Sequence, residues 1–233
     1  MRYYLYIIFI VSVFARFYNR LHENVFRTFV RIRSCVFSAP GVYLRQMPFL
    51  RLFCLGGGDM QDPRSHTCCF SGYRPEKMPF RTYDPDAVQA LEAALDRAVE
   101  HAVSQGYHTF LSGMAAGFDI WAAEAVIRAR AHHDIRLLCA VPHDHQSDRF
   151  PPSWKKRYNV CLVNSDAVRV FASNYFSGCF SVRNRFMVDS SSLLICYFDG
   201  QAGGTAQTVH YAQGSGLRII NLSPRAYDQL SLL

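Results

Sequence analysis

Charge is scarce in this sequence: Asp, Glu, Lys and Arg make up 18% of its 233 residues, while half are hydrophobic. That balance excludes an intrinsically disordered chain, which has too little apolar surface to offset the entropy of folding. Long apolar runs are missing too, and none reaches the roughly 20 residues that a bilayer-spanning helix needs. The eight Cys form no CxxC pair and no Cys/His spacing suited to zinc. Three common fingerprints are absent: GxGxxG for a dinucleotide, a Gly-Lys-Ser/Thr phosphate loop, and the GxSxG nucleophile elbow. Their absence argues against hydride transfer on NAD, phosphate-loop ATP hydrolysis and serine-hydrolase chemistry.

Lys is lacking altogether from residues 1–59, and acids nearly so. That segment holds eight Arg against Glu23 and Asp59, which is +6 of the chain's formal +7. Residues 60–233 carry 17 bases and 16 acids, so the basic pI belongs to one end of the chain. Three readings stand for residues 1–59. One is a targeting or membrane-surface segment, since Arg2 and Arg16 flank the apolar run Tyr3–Ala15 and Arg alternates with aromatics from Phe14 to Arg33. A second is a small folded subdomain. The favoured one is upstream mis-translation, because Gly56-Gly57-Gly58-Asp59-Met60 reads like a translated ribosome-binding site before a true start at Met60. A membrane partner is expected only if this segment belongs to the working protein. Cys68, Cys139 and Cys196 lie inside apolar runs, which predicts reduced, buried thiols and a cytoplasmic chain.

From Met60 onward, short apolar runs alternate with helical patterns, the signature of an α/β domain with a parallel sheet. Strands are expected at 67–70, 108–111, 135–141, 168–171, 193–198 and 218–221. Helices are expected from Asp84-Pro85 to Gly106 and over 120–131, 153–164, 180–188 and 205–213. The expected architecture is a single Rossmann-like domain with a doubly wound, mainly parallel sheet.

In such sheets ligands bind beyond the carboxyl ends of the strands, so the residues that follow each strand carry the information. The first strand runs into Ser71-Gly72-Tyr73-Arg74-Pro75 and the second into Ser112-Gly113-Met114-Ala115-Ala116-Gly117-Phe118-Asp119. A later strand leads to Asp199-Gly200-Gln201-Ala202-Gly203-Gly204-Thr205. Two glycine loops entering helices point to a phosphate or pyrophosphate, since Gly admits close backbone approach and a helix N-terminus favours an anion. On this reading Gly117→Val abolishes ligand binding with little loss of fold. Asp119 is expected to cap the second helix or to accept a ribose hydroxyl. His143 and His145 are read as a solvated loop rather than metal ligands, Lys155-Lys156-Arg157 as an exposed helix face, and Trp121 as core.

Four motifs occur together and in order: Ser71-Gly72-Tyr73-Arg74-Pro75, Gly113 to Glu124, Arg183-Asn184-Arg185-Phe186-Met187-Val188-Asp189, and Gly203-Gly204-Thr205. In this combination the chain resembles the YpsA-like family of the SLOG superfamily, a Rossmann-like group that also includes the DNA-processing protein DprA and the LOG phosphoribohydrolases. The resemblance covers roughly residues 66–224. It implies a nucleotide or ADP-ribose-like ligand in a glycine-lined crevice, and a bacterial stress-response or cell-division role. The implied ligand-binding set is Gly72, Arg74, Gly113, Met114, Gly117, Asp119, Glu124, Arg183, Asn184, Asp189, Gly203, Gly204 and Thr205. The family's first motif reads Gly-His-Arg, where this chain has Tyr73 in place of His. LOG enzymes place a catalytic Glu three residues after the Gly-Gly-x-Gly-Thr threonine, and here that position is Thr208. The expectation is therefore a binding module, the alternative an N-glycosidic hydrolase that uses Asp119, Glu124 or Asp189 instead. No metal is expected, nucleic acid is disfavoured by the near-neutral domain, and a homo-oligomer is compatible with either reading.

Overall fold

The computed structural model describes residues 63–224. The expectations for residues 1–59, and the Met60 start, lie outside the described residues. Six strands form one sheet: β1 (Thr67–Ser71), β2 (Thr109–Ser112), β3 (Arg136–Val141), β4 (Ala167–Val170), β5 (Leu193–Cys196) and β6 (Arg218–Asn221). Five helices connect them: α1 (Pro85–Ser104), α2 (Phe118–Ala129), α3 (Pro152–Val163), α4 (Cys179–Asp189) and α5 (Gly204–Gly214). All neighbouring strands pair in parallel, in the order β4-β3-β2-β1-β5-β6. This is the Rossmann-like α/β fold expected from the alternating pattern, with element ends shifted by one or two residues.

The chain winds outward from β1 to β4 and then returns to the other side of β1. The strand order therefore reverses between β1 and β5, whose register pairs Ser71 with Cys196. Two apolar cores follow from this winding. One face of the sheet packs Leu95, Val99, Trp121, Val126 and Trp154 from α1, α2 and α3; the other packs Met187, Val188, Val209 and Ala212 from α4 and α5. Adjacent strand residues point to opposite faces, so Cys68 belongs to the first core and Cys69 to the second. The six described Cys are all buried and free, and burial pushes the thiols of Cys69, Cys139, Cys161 and Cys196 up to about 12. They act as small apolar groups, since the reactive form is the thiolate.

Local signals hold where they rest on capping chemistry. Asp84 accepts from the N–H groups of Asp86 and Ala87 at 3.1 and 3.4 Å, and Pro85 opens α1. Trp121 is core, 1% exposed, and meets Trp154 edge to face. The basic run divides: Lys155 and Lys156 are exposed as expected, but Arg157 lies over both indoles and pairs with Glu124. Among the described residues no helix is long and apolar enough to cross a membrane.

Candidate functional site

At the reversal between β1 and β5, where sheets of this kind open a ligand crevice, the loops after the two strands meet at the carboxyl edge of the sheet. One wall is the turn after β1. Tyr73 is buried there, and its hydroxyl donates to Asp199 Oδ1 at 2.6 Å, tying this turn to the loop after β5. Burial and the adjacent carboxylate push the Tyr73 phenol up to about 12. Partial burial alone would raise Asp199, but the Tyr73 hydroxyl and the Gln201 N–H outweigh it and hold the carboxyl below its usual range. A histidine in place of Tyr73 would change this charge pattern, so the departure from the family motif has a local partner in Asp199.

The other wall is the start of α5. Gly203 is its N-cap and supplies no capping side chain, so the first N–H groups of the helix face the crevice without an internal partner. A Cβ on Gly204 would meet nothing within 4 Å, and one on Gly203 would come 3.3 Å from Lys77 Nζ. The Thr205 hydroxyl donates to the Gly72 carbonyl at 3.0 Å and closes the floor. Arg74 and Lys77 are both exposed on the short 3-10 turn after β1. Thus Gly72, Gly203, Gly204 and Thr205 do meet at one place, around a helix N-terminus with Lys77 at hand, whereas the Arg74 guanidinium lies over the Phe180 ring at the start of α4.

The second glycine loop is built differently. A Cβ on Gly117, at φ +96°, would lie 2.6 Å from the Tyr73 carbonyl and 3.0 Å from Pro75. One on Gly113 would strike the Arg183 guanidinium and come 2.7 Å from Asp119 Oδ2, and one on Gly72 would fall inside the Phe118 ring. These glycines let protein approach protein. The expectation that Gly117→Val spares the fold is therefore corrected: the space and the backbone conformation both forbid it. Met114, at φ +56° and fully buried, takes the left-handed turn between them. It is the only non-glycine residue with positive φ among those described.

Asp119 is likewise not the cap of α2. Gly117 holds that position, and the Asp119 carboxylate turns back to accept from the Ala115 N–H at 3.3 Å. Arg183 reaches in from α4, donates to the Gly113 and Ala140 carbonyls, and stands 4.0 Å from Asp119 Oδ2. Burial pushes the Asp119 carboxyl above its ordinary range, opposed by Arg183, the Ala115 N–H and Arg74. His143 is also a correction, since it is 7% exposed and packed by Tyr175 and Phe180 rather than solvated. His145 remains exposed and pairs with Asp148.

The remaining predicted residues lie elsewhere. Glu124 is clamped by Arg157 on the α2–α3 side. Asp189 ends α4, where it accepts from the Tyr211 hydroxyl at 2.9 Å, at the opposite edge of the sheet from the crevice. Asn184 donates to Thr208 Oγ1 at 2.9 Å, and Thr208 donates to the Gly204 carbonyl. Both belong to a groove of about 600 Å³ between α4 and α5, one turn below the helix start. Lys77 and Asp199 were not foreseen. Their signals were Pro75, which starts the turn that brings Lys77 back, and an Asp-Gly pair at the end of a central strand.

The YpsA family model, described as the YspA SLOG family, matches residues 68–215. The chain belongs to this family. Among curated relatives it is similar to the UPF0398 protein OB1025 of Oceanobacillus iheyensis, at 19% identity over 59% of this chain and 76% of that one. A UPF0398 protein of Bacillus cereus strain B4264 is 22% identical over 60% of this chain and 77% of its own. Among solved structures, DNA processing protein A of Helicobacter pylori is 17% identical, with a TM-score of 0.49, over 75% of this chain and 76% of that one. That structure concerns the single-stranded DNA binding mode of the Helicobacter pylori protein. The family match spans the whole crevice, from β1 to the end of α5.

Proposed function

We propose that this domain binds a nucleotide or nucleotide-derived ligand, such as an ADP-ribose-like molecule, with its phosphate at the N-terminus of α5. The observation that carries the reading is the open start of that helix: unpaired N–H groups, free space at Gly204, and Lys77 Nζ beside Gly203. Such a helix end attracts an anion through its dipole and its free donors. The family resemblance supports a nucleotide over a bare anion, and a sensing role in bacterial stress response or cell-division control within the cytoplasm.

Binding is better supported than hydrolysis. Thr208 occupies the place of the LOG glutamate and is held by Gly204 and Asn184. Glu124 and Asp189 are engaged away from the crevice, which leaves the buried Asp119 as the one proposed replacement near it. A nucleic-acid partner is not favoured, because residues 60–233 carry only one more base than acids.

The experiment is to purify the full chain, identify co-purifying small molecules by mass spectrometry, and test adenosine monophosphate and ADP-ribose in thermal unfolding. A bound nucleotide, or a Tm that rises with ligand concentration, is expected. No co-purified nucleotide and no shift at millimolar ligand overturns the reading. Free adenine released in step with enzyme concentration would favour the hydrolase instead.

A further inference from the structure

The carboxyl edge of the sheet carries a second cluster that the phosphate position does not use. It lies beyond β2 and β3, two strand spacings or about 10 Å from β1. Phe180 stands at its centre, partly buried. Arg74 lies over its ring at 5.5 Å and Arg183 at 6.0 Å, while His143 meets it edge-on with centroids 5.9 Å apart. Tyr175 packs against both Phe180 and His143, yet its own ring is 64% exposed, with Phe176 beside it at 44%. Large aromatic rings left in solvent at the mouth of a crevice are costly for folding and fit a planar partner.

The polar atoms behind these rings point the same way. Six buried side-chain polar atoms lack a hydrogen-bond partner among the described residues, and three of them fall in this one cluster: His143 Nδ1, Gln146 Oε1 and Arg183 Nε. Their side chains are 7%, 7% and 4% exposed. Gln146 donates its amide nitrogen to the Gly113 carbonyl at 3.2 Å, and Arg183 donates to the same carbonyl, so both side chains are anchored at one point while Gln146 Oε1 and Arg183 Nε stay unpaired. An unpaired buried polar group is destabilising, and three together mark a place built for a polar group that arrives from outside.

We infer that this cluster is the base subsite of the nucleotide site: a heterocycle stacks on Tyr175 and Phe180 and presents a donor and an acceptor to Gln146 and Arg183. The inference rests on the nucleotide reading above and adds the part of the ligand that the helix end cannot recognise. Arg74, which follows β1, lies over Phe180 and adds a cation at the base end.

The test compares adenosine monophosphate with ribose phosphate, the same anion without a base, by calorimetry on the full chain. The wild type is expected to bind the nucleotide at least tenfold more tightly. Tyr175→Ala, at an exposed position that leaves the core intact, is expected to lower nucleotide affinity about tenfold and to leave ribose phosphate unchanged. Tyr175→Phe keeps the ring and is expected to restore binding. Equal affinity for the two probes, or a Tyr175→Ala variant that binds the nucleotide as wild type does, overturns the base subsite while leaving the phosphate reading in place. No binding of either probe overturns both. An oligonucleotide whose affinity falls in Tyr175→Ala while that of the nucleotide does not would assign the rings to a DNA strand, and the inference fails.

Discussion

The two glycine loops look alike in the sequence and are opposites in the structure. Gly113 and Gly117 sit where any side chain would collide with Arg183, Asp119, Tyr73 or Pro75, so that loop is closed by the protein itself. Gly204 faces open space at the head of α5. The difference shows that a glycine after a strand serves either to let the chain pack on itself or to let a ligand in. Only the neighbours in three dimensions separate the two uses.

The contrast is broken most severely at the closed loop. Gly117→Ala puts a Cβ into the Tyr73 carbonyl at a backbone angle that L residues rarely adopt, and Gly113→Ala displaces Arg183 from Asp119. Gly117→Ala is expected to cost about 3 kcal/mol or more, from strain and overpacking combined, and Gly113→Ala about 1–3 kcal/mol, from displacing the buried Arg183, each read as a lower urea midpoint. A stability loss under about 1 kcal/mol at either site would contradict the steric role. A smaller effect is expected at the link between the crevice walls. Tyr73→Phe loses the bond to Asp199, worth about 1.5–3 kcal/mol for a charged acceptor. Because the folded state holds Asp199 below its ordinary value, this stabilisation is present above the unfolded carboxylate range and is lost as pH falls through the folded one. The gap between wild type and Tyr73→Phe should therefore narrow in acid. At high pH the wild type should lose more stability than Tyr73→Phe from the ordinary tyrosine range up to about 12, where the Tyr73 phenol titrates, while the raised buried thiols affect both proteins alike. The smallest effect belongs to the open loop: Gly204→Ala is expected to raise stability by about 0.5 kcal/mol, as a better helix former in free space.

The sequence made the fold legible because its signals were local. Asp84-Pro85 caps a helix by itself, and six apolar runs separated by helical periods leave few arrangements other than a parallel sheet. The meeting of Thr205 with Gly72 was legible too, since both lie in loops read as following neighbouring strands. What stayed hidden depends on contacts far apart in the chain. Arg183 fills the space over Gly113 from 70 residues away, and no period or motif announces that pairing. The same holds for Asp119, whose place near a helix start suggested a cap but whose carboxylate turns to Ala115. His143 looked solvated beside Asp144 and His145, and is buried because Tyr175 and Phe180 arrive from the next crossover.

The central claim is that the open loop, and not the closed one, receives the phosphate. Its most direct test is the affinity of adenosine monophosphate for the full chain and for Gly204→Glu, measured by calorimetry beside the Tm of each. The added side chain enters free space and its charge favours the helix start, so the fold is retained while an incoming phosphate is repelled. The account predicts an unchanged or higher Tm and at least a tenfold loss of affinity. Equal affinity in the two proteins would contradict it.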